Sequence, residues 1–255
     1  MANLQKILLV EDNPQFTLAA VKFLHGLDIS VDTAGEYDSA IASLEHGPFT
    51  HEKFDGVITD CFFPRTLGSE DRTLGRVAIG KMLATDTRAQ RIDEYEQHLA
   101  EYIGADPELR NIVRYIGSLS NSDPLQGAVS NVIKLIGDVD RKAAGIILKN
   151  DKWLFKGIEH FKDHYDALRF GMQQDTANQA LGILVAEECE QRKIPFVLAT
   201  STYHHDAMTQ PIQDYCGKRN WRLVDSSPSN PNEKAEESFW NRAYETLLRE
   251  AGGRK

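Results

Sequence analysis

Three short apolar runs, each breaking off at an acid or a hydroxyl, constrain this chain more than any other feature. Lys6-Ile7-Leu8-Leu9-Val10 runs straight into Glu11-Asp12-Asn13-Pro14, and Phe54-Asp55-Gly56-Val57-Ile58-Thr59 into Asp60. Pro195-Phe196-Val197-Leu198-Ala199 does the same into Thr200. Apolar runs without alternation predict strands buried on both faces, as in a parallel sheet covered by helices. The intervening sequence supplies those helices. Asn13 is placed as a cap and Pro14 in a first turn. Phe16, Ala20, Phe23 and Leu24 then mark the inner face of a helix ending near Gly26. A second strand over Ile29–Thr33 and a helix over Tyr37–Glu45, stopping at His46-Gly47-Pro48, complete a β-α-β-α-β order. That order implies right-handed crossovers and a doubly wound sheet, which binds ligands beyond the carboxyl ends of its strands.

Glu11, Asp12 and Asp60 all stand at such ends, so the topology gathers three carboxylates that the sequence separates. Clustered carboxylates repel, and the pocket needs a cation or raised pKa values to be tolerable. An open, oxygen-lined site of this kind suits Mg²⁺, which keeps several waters and takes one or two carboxylates. A carboxylate beside such an ion can attack a phosphoryl donor and become an aspartyl phosphate. A single acid would be read as a solvated strand cap; three at equivalent ends of adjacent strands outweigh that reading.

The segments KILLVEDNP (6–14) and FDGVITDCFFP (54–64) resemble the receiver domain of two-component response regulators. The resemblance implies a flavodoxin-like α/β fold, a five-stranded parallel sheet in the order 2-1-3-4-5. It implies Glu11 and Asp12 as the metal-binding pair, Asp60 as phosphoacceptor, and the backbone carbonyl of Phe62 as a further ligand of Mg²⁺. Pro64 matches the proline that usually follows the third strand. The likeness resumes at residues 179–200, where Gly182 opens a helix and Thr200 falls at the hydroxyl that contacts the phosphoryl group. By its residue type alone, Thr200 is equally well a helix cap. Residues 207–218, Trp221–Val224 and Glu233–Glu250 would form the last helix, strand and helix, with Phe239, Trp240, Tyr244, Leu247 and Leu248 facing inward. One departure matters. The family ends its fifth strand with a phosphoryl-binding lysine, whereas Trp221-Arg222-Leu223-Val224-Asp225-Ser226-Ser227-Pro228 contains none. That absence points toward a divergent or pseudo-receiver.

The pattern assigns residues 1–66 and 176–255 to the receiver-like domain and 67–175 to an inserted helical subdomain. Helices are expected over Thr87–Ile103, from Asp106-Pro107 through Ile116, from Asp123-Pro124 through Ile136, and over Trp153–Phe170. A lid, a dimerisation surface or a partner-binding module are the natural roles of such an insertion.

Composition narrows the class. A net charge of −9 argues against a surface that coats nucleic acid. No apolar stretch approaches bilayer-crossing length, so no membrane partner is expected. Cys61, Cys189 and Cys216 are widely spaced and read as reduced thiols of a cytoplasmic protein, with Cys61 a small apolar filler. Gly75 to Lys81 fits the first seven positions of a phosphate-binding loop, but Met82 stands where a hydroxyl is required. It reads as a coincidental helix start. His160 and His164 share a helical face without further ligands, and the His204-His205-Asp206 run borders the pocket as a solvated helix start.

Three functions remain open on the residues. The first is a Mg²⁺-dependent phosphoacceptor, not itself an enzyme, served by a histidine kinase or other protein partner and signalling through the inserted helices, as monomer or homodimer. The second is a phosphorylation-independent interaction module. The third is a Mg²⁺-dependent phosphohydrolase, although the DxDx[TV] pattern is lacking around Asp60.

Overall fold

The apolar runs become strands of one open, all-parallel sheet in a computed structural model that describes residues 4–50, 54–87, 164–203, 205–230 and 232–253. The strands are β1 (Lys6–Val10), β2 (Ser30–Ala34), β3 (Gly56–Asp60), β4 (Phe196–Thr200) and β5 (Leu223–Asp225), ordered β2-β1-β3-β4-β5. This is the doubly wound flavodoxin-like order, with the switch point between β1 and β3. β3 and β4 are buried at every position, as their unbroken apolar runs require.

The helices are α1 (Pro14–His25), α2 (Tyr37–Thr50), α3 (Thr73–Thr85), α4 (164–174), α5 (Gly182–Arg192), α6 (Gln210–Arg219) and α7 (Glu237–Gly253). Two 3₁₀ turns, Thr176–Asn178 and Glu233–Ala235, precede α5 and α7. Asn13 caps α1 as its sequence suggests, its Oδ1 accepting from the Gln15 N–H at 2.9 Å. Helix α2 does not stop at His46-Gly47-Pro48 but continues to Thr50. Pro48 has no N–H to offer the Leu44 carbonyl one turn back. The Arg192 guanidinium donates to that carbonyl instead, at 3.3 Å, so the helix passes the proline with its acceptor satisfied.

Side-chain alternation assigns the strand residues to two faces. Ile7, Leu9, Ile58, Val197, Ala199 and Val224 form one core with Ala20 and Leu24 of α1 and Phe239, Trp240, Ala243 and Leu247 of α7. Glu11 and Asp60 keep the same parity one step further along β1 and β3, and therefore lie on the α1–α7 side of the sheet. Between β3 and α5 the packing is closest. A Cβ built on Gly182 would lie 2.0 Å from the Asp60 carbonyl oxygen and 2.9 Å from the Cys61 Cα. The Gly182 N–H donates to the Cys61 carbonyl at 3.2 Å. Only glycine allows this approach, and the approach fixes the backbone that carries Asp60.

The chain divides into two compact units, Met1–Thr85 with Asp163–Lys255, and Asp86–Lys162. Helices α3 and α4 thus belong to the unit that bears the sheet. Arg72 ties them, donating from Nε to the Met172 carbonyl at 2.9 Å and from Nη2 to that of Gln173 at 3.3 Å. The buried Gln179 adds bonds to the Gly75 N–H and to the Asp71 and Thr176 carbonyls. Gly75 to Lys81 is continuous helix within α3, and a Cβ at Gly75 would meet the Met172 sulfur at 2.5 Å. Its glycine serves packing, with no phosphate-binding loop. All but Thr87 of the helix expected over 87–103, the helices expected over 106–116 and 123–136, and His160 lie outside the described residues, as does the first part of Trp153–Phe170. Among the described residues, no helix is long and apolar enough to cross a membrane.

Replacing Gly182 with alanine forces a methyl into the Asp60 carbonyl, so the variant is expected to lose at least about 1–3 kcal/mol of stability. Urea unfolding of G182A followed by circular dichroism measures this; an unchanged midpoint would contradict the packing described.

Candidate metal centre

The register places β1 and β3 side by side, with Val10 opposite Thr59, so the next residues, Glu11 and Asp60, meet at the sheet edge. Glu11, Asp12 and Asp60 each offer a carboxylate oxygen, and these oxygens all lie within 4.8 Å of one another. Glu11 and Asp60 are buried and Asp12 half-buried. The convergence read from the topology is present.

The pocket also contains a cation. Lys234, in the 3₁₀ turn that precedes α7, is fully buried, its Nζ 2.6 Å from Glu11 Oε2 and 2.9 Å from Asp60 Oδ1. The same ammonium donates to the Ala199 carbonyl of β4 at 3.1 Å. Phe16 and Trp240 flank it, their ring centroids 5.5 and 5.9 Å away. The expectation that no lysine follows β5 therefore needs correction. A lysine from beyond β5 does reach the pocket: Lys234, in the turn that precedes α7.

The remaining polar contacts set each acid's environment. Glu11 Oε1 accepts from the Asn13 N–H at 3.1 Å, and Asp60 Oδ1 accepts from the Cys61 N–H at 2.7 Å. Glu11 Oε2 faces the ammonium at 2.6 Å and has no other hydrogen-bond partner. A buried carboxylate oxygen with an unsatisfied lone pair is suited to a metal ion, and the all-oxygen donor set is that of a hard cation. Formal charge agrees. Three carboxylates against one ammonium leave a net of two negative charges, which a dication would balance.

Burial pushes Glu11 up from 4.5 to about 7, against the opposing pull of Lys234. Asp12 rises to about 6, through burial and the neighbouring Asp60 charge. Asp60 is also raised by burial, with Lys234 and the N–H groups of Cys61 and Phe62 working against the shift. Lys234 is raised as well: burial alone would lower it, but Asp60 and Glu11 more than offset that and hold it charged. These directions are compatible because one ammonium cannot neutralise three acids. Between its unfolded value of 4.5 and its folded value of about 7, Glu11 binds protons more tightly in the folded chain. Its contribution to stability therefore falls as pH rises through that window. A metal ion, which needs the deprotonated acids, binds more tightly over the same rise.

Thr200 ends β4 and is buried, its hydroxyl 2.8 Å from that of Thr202, which in turn contacts the Thr209 hydroxyl at 2.5 Å. Burial pushes the Cys61 thiol well up, against a smaller opposing pull from the Thr200 hydroxyl, so it serves as filler and not as a nucleophile. Phe62 is half-buried in the loop directly after β3. Of the His204-His205-Asp206 run, His205 is exposed and faces Gln210 and Tyr203, whereas His204 lies outside the described residues.

Lys234 was the residue that strand-end reasoning missed. It is the sole lysine between Lys218 and Lys255, and it lies just ahead of the apolar face of the last helix. That face runs into the sheet on the side where Glu11 and Asp60 lie.

No protein-family model matches the chain, and no curated protein and no solved structure matches it. The case for the site therefore stands on its geometry.

Lys234→Met leaves the pocket acids without their counter-ion, and breaking a buried pair of this kind costs about 3–5 kcal/mol. The loss is expected in full at pH 8 and reduced at pH 5, where Glu11 and Asp12 take up protons. Urea unfolding at the two pH values is the check, and an equal loss at both would contradict the charge pairing.

Proposed function

We propose that the chain is a receiver-like phosphoacceptor that holds Mg²⁺ at Glu11, Asp12 and Asp60, with the Phe62 backbone carbonyl as a further ligand. The observation that carries this reading is the Lys234 ammonium beside Asp60. Receiver-type chemistry needs a carboxylate nucleophile, a dication and a fixed positive charge at one point, and the first and third of these are supplied by the chain itself.

Asp60 Oδ1 is held by the Cys61 N–H and by Lys234, which leaves Oδ2 as the attacking oxygen. That oxygen forms a bond to the phosphorus of a small phosphodonor or a kinase phosphohistidine. The donor's own bond to phosphorus breaks, and its leaving group departs with the electron pair. Bound Mg²⁺ supplies charge neutralisation for the phosphoryl oxygens. Lys234 offers a second positive group to the same oxygens, and Thr200 a hydroxyl at the neighbouring strand end. Product release is not part of this reading, since the phosphoryl group stays on Asp60 as a signal. Output in this account goes to a protein partner through contacts of the 67–175 segment.

The degenerate, phosphorylation-independent alternative drew its support from a lysine missing after β5 and from the large insertion, and Lys234 removes the first of these.

Beryllofluoride with Mg²⁺ mimics the acyl phosphate and is the direct test. Backbone resonances around Asp12, Asp60 and Thr200 are expected to shift together, and Asp60→Asn is expected to silence them. Unshifted resonances in the unaltered protein at saturating beryllofluoride would exclude the phosphoacceptor role.

A further inference from the structure

Lys234 and its neighbour Glu233 face two different places. Lys234 is sealed in the acidic pocket, whereas Glu233 lines an open groove of about 530 Å³ bordered by Tyr203, Ser226, Ser227 and Arg242. Glu233 organises that wall: its Oε2 accepts from the Ser227 N–H at 2.7 Å, and its carboxylate pairs with Arg242. Arg242 donates in turn to the Asp225 carbonyl at the end of β5, at 2.9 Å. The turn itself is tight, with the Ala235 N–H bonded to the Asn232 carbonyl and that of Glu236 to Glu233. The Lys234 carbonyl accepts from the buried Trp240 indole at 2.8 Å. One peptide unit thus joins the pocket to the groove, with little slack on either side.

We propose that the Glu233–Lys234 turn is a lever by which a dication in the acidic pocket rearranges the groove between β5 and α7. The inference rests on the metal-binding reading of Glu11, Asp12 and Asp60, and it does not need Asp60 to accept a phosphoryl group. The cause is competition. A dication on these carboxylates draws on the same oxygens that Lys234 holds, and it repels the ammonium only a few ångströms away. The contact with Glu11 is the one that yields, because the ammonium keeps Asp60 and the Ala199 carbonyl as partners.

Lys234 cannot shift alone, because its backbone is pinned to Trp240 and its neighbour to Ser227 and Arg242. The turn moves as a unit, and the Glu233 clamp opens or shifts with it. Ser226, next to the clamp, has a buried hydroxyl without a hydrogen-bond partner. This wall therefore carries an unmet hydrogen bond, and a rearranged turn can supply it. The two states are Lys234 on both Glu11 and Asp60 with the clamp closed, and Lys234 shifted off Glu11 but kept beside Asp60 with the clamp altered. A ligand that favours one of them biases the groove.

The test is a Mg²⁺ titration of the full chain, with binding measured by calorimetry and response by NMR at the Ser227 amide, the Arg242 side chain and the Trp240 indole N–H. In the unaltered protein all three are expected to shift in step with the binding isotherm. Glu233→Gln is expected to bind Mg²⁺ within about twofold of the unaltered protein, since the changed group is near the surface. Its Trp240 indole should still respond while Ser227 and Arg242 fall silent. Lys234→Gln, where it folds, is expected to bind Mg²⁺ more tightly with all three probes silent. Absence of any binding heat would overturn the metal reading and this proposal together. Binding heat with unmoved Ser227 and Arg242 in the unaltered protein would overturn the lever alone, as would an undiminished response in Glu233→Gln.

Discussion

The contact between one fully buried ammonium and two buried carboxylates is the constraint on which this structure turns. Glu11 and Asp60 lie side by side because β1 and β3 pair in register, and Asp12 follows at once. Left alone, these acids would oppose folding, since desolvation and mutual repulsion both act against their charged forms. Lys234 makes the arrangement tolerable, and it does so incompletely. Glu11 at about 7 and Asp12 at about 6 remain above their ordinary range with the ammonium in place. The pocket is stable enough to fold and still short of positive charge, which is the condition of a site prepared for a cation.

Much else in the fold serves that arrangement. The close approach of Gly182 to the Asp60 carbonyl sets the end of β3. The indole of Trp240 holds the Lys234 carbonyl, and the same side chain belongs to the core beneath α7. A residue that reads as packing thus also fixes where the internal cation stands. The long connection after β5 has a comparable double use: Lys234 goes inward, and Glu233 holds the groove wall outside.

The parallel sheet was legible because its signal is local. Runs such as 7–10 and 196–199 are apolar at every position, and only a strand covered on both sides buries all of them. The acids at the strand ends followed from topology once the strand order was inferred. Lys234 was not legible in the same way, because its role depends on where the connection after β5 brings the 3₁₀ turn before α7, and no periodicity encodes that placement. The extension of α2 past Pro48 escaped for a related reason. The carbonyl that the proline leaves open is met by Arg192, a residue 148 positions away. Both misses are long-range polar contacts that compensate a local rule. Thr200 lies between these cases: its place at the end of β4 was readable, but its partners Thr202 and Thr209 come from the following loop.

The central claim is that Glu11, Asp12 and Asp60 form one cation site with Lys234 as its resident counter-charge. Crystals grown with Mn²⁺ and measured at the manganese edge test it most directly. The account predicts a single strong anomalous peak within bonding distance of all three carboxylates, with the Lys234 ammonium still inside the pocket near Asp60. Manganese bound elsewhere, or carboxylates turned apart with Lys234 in solvent, would contradict it.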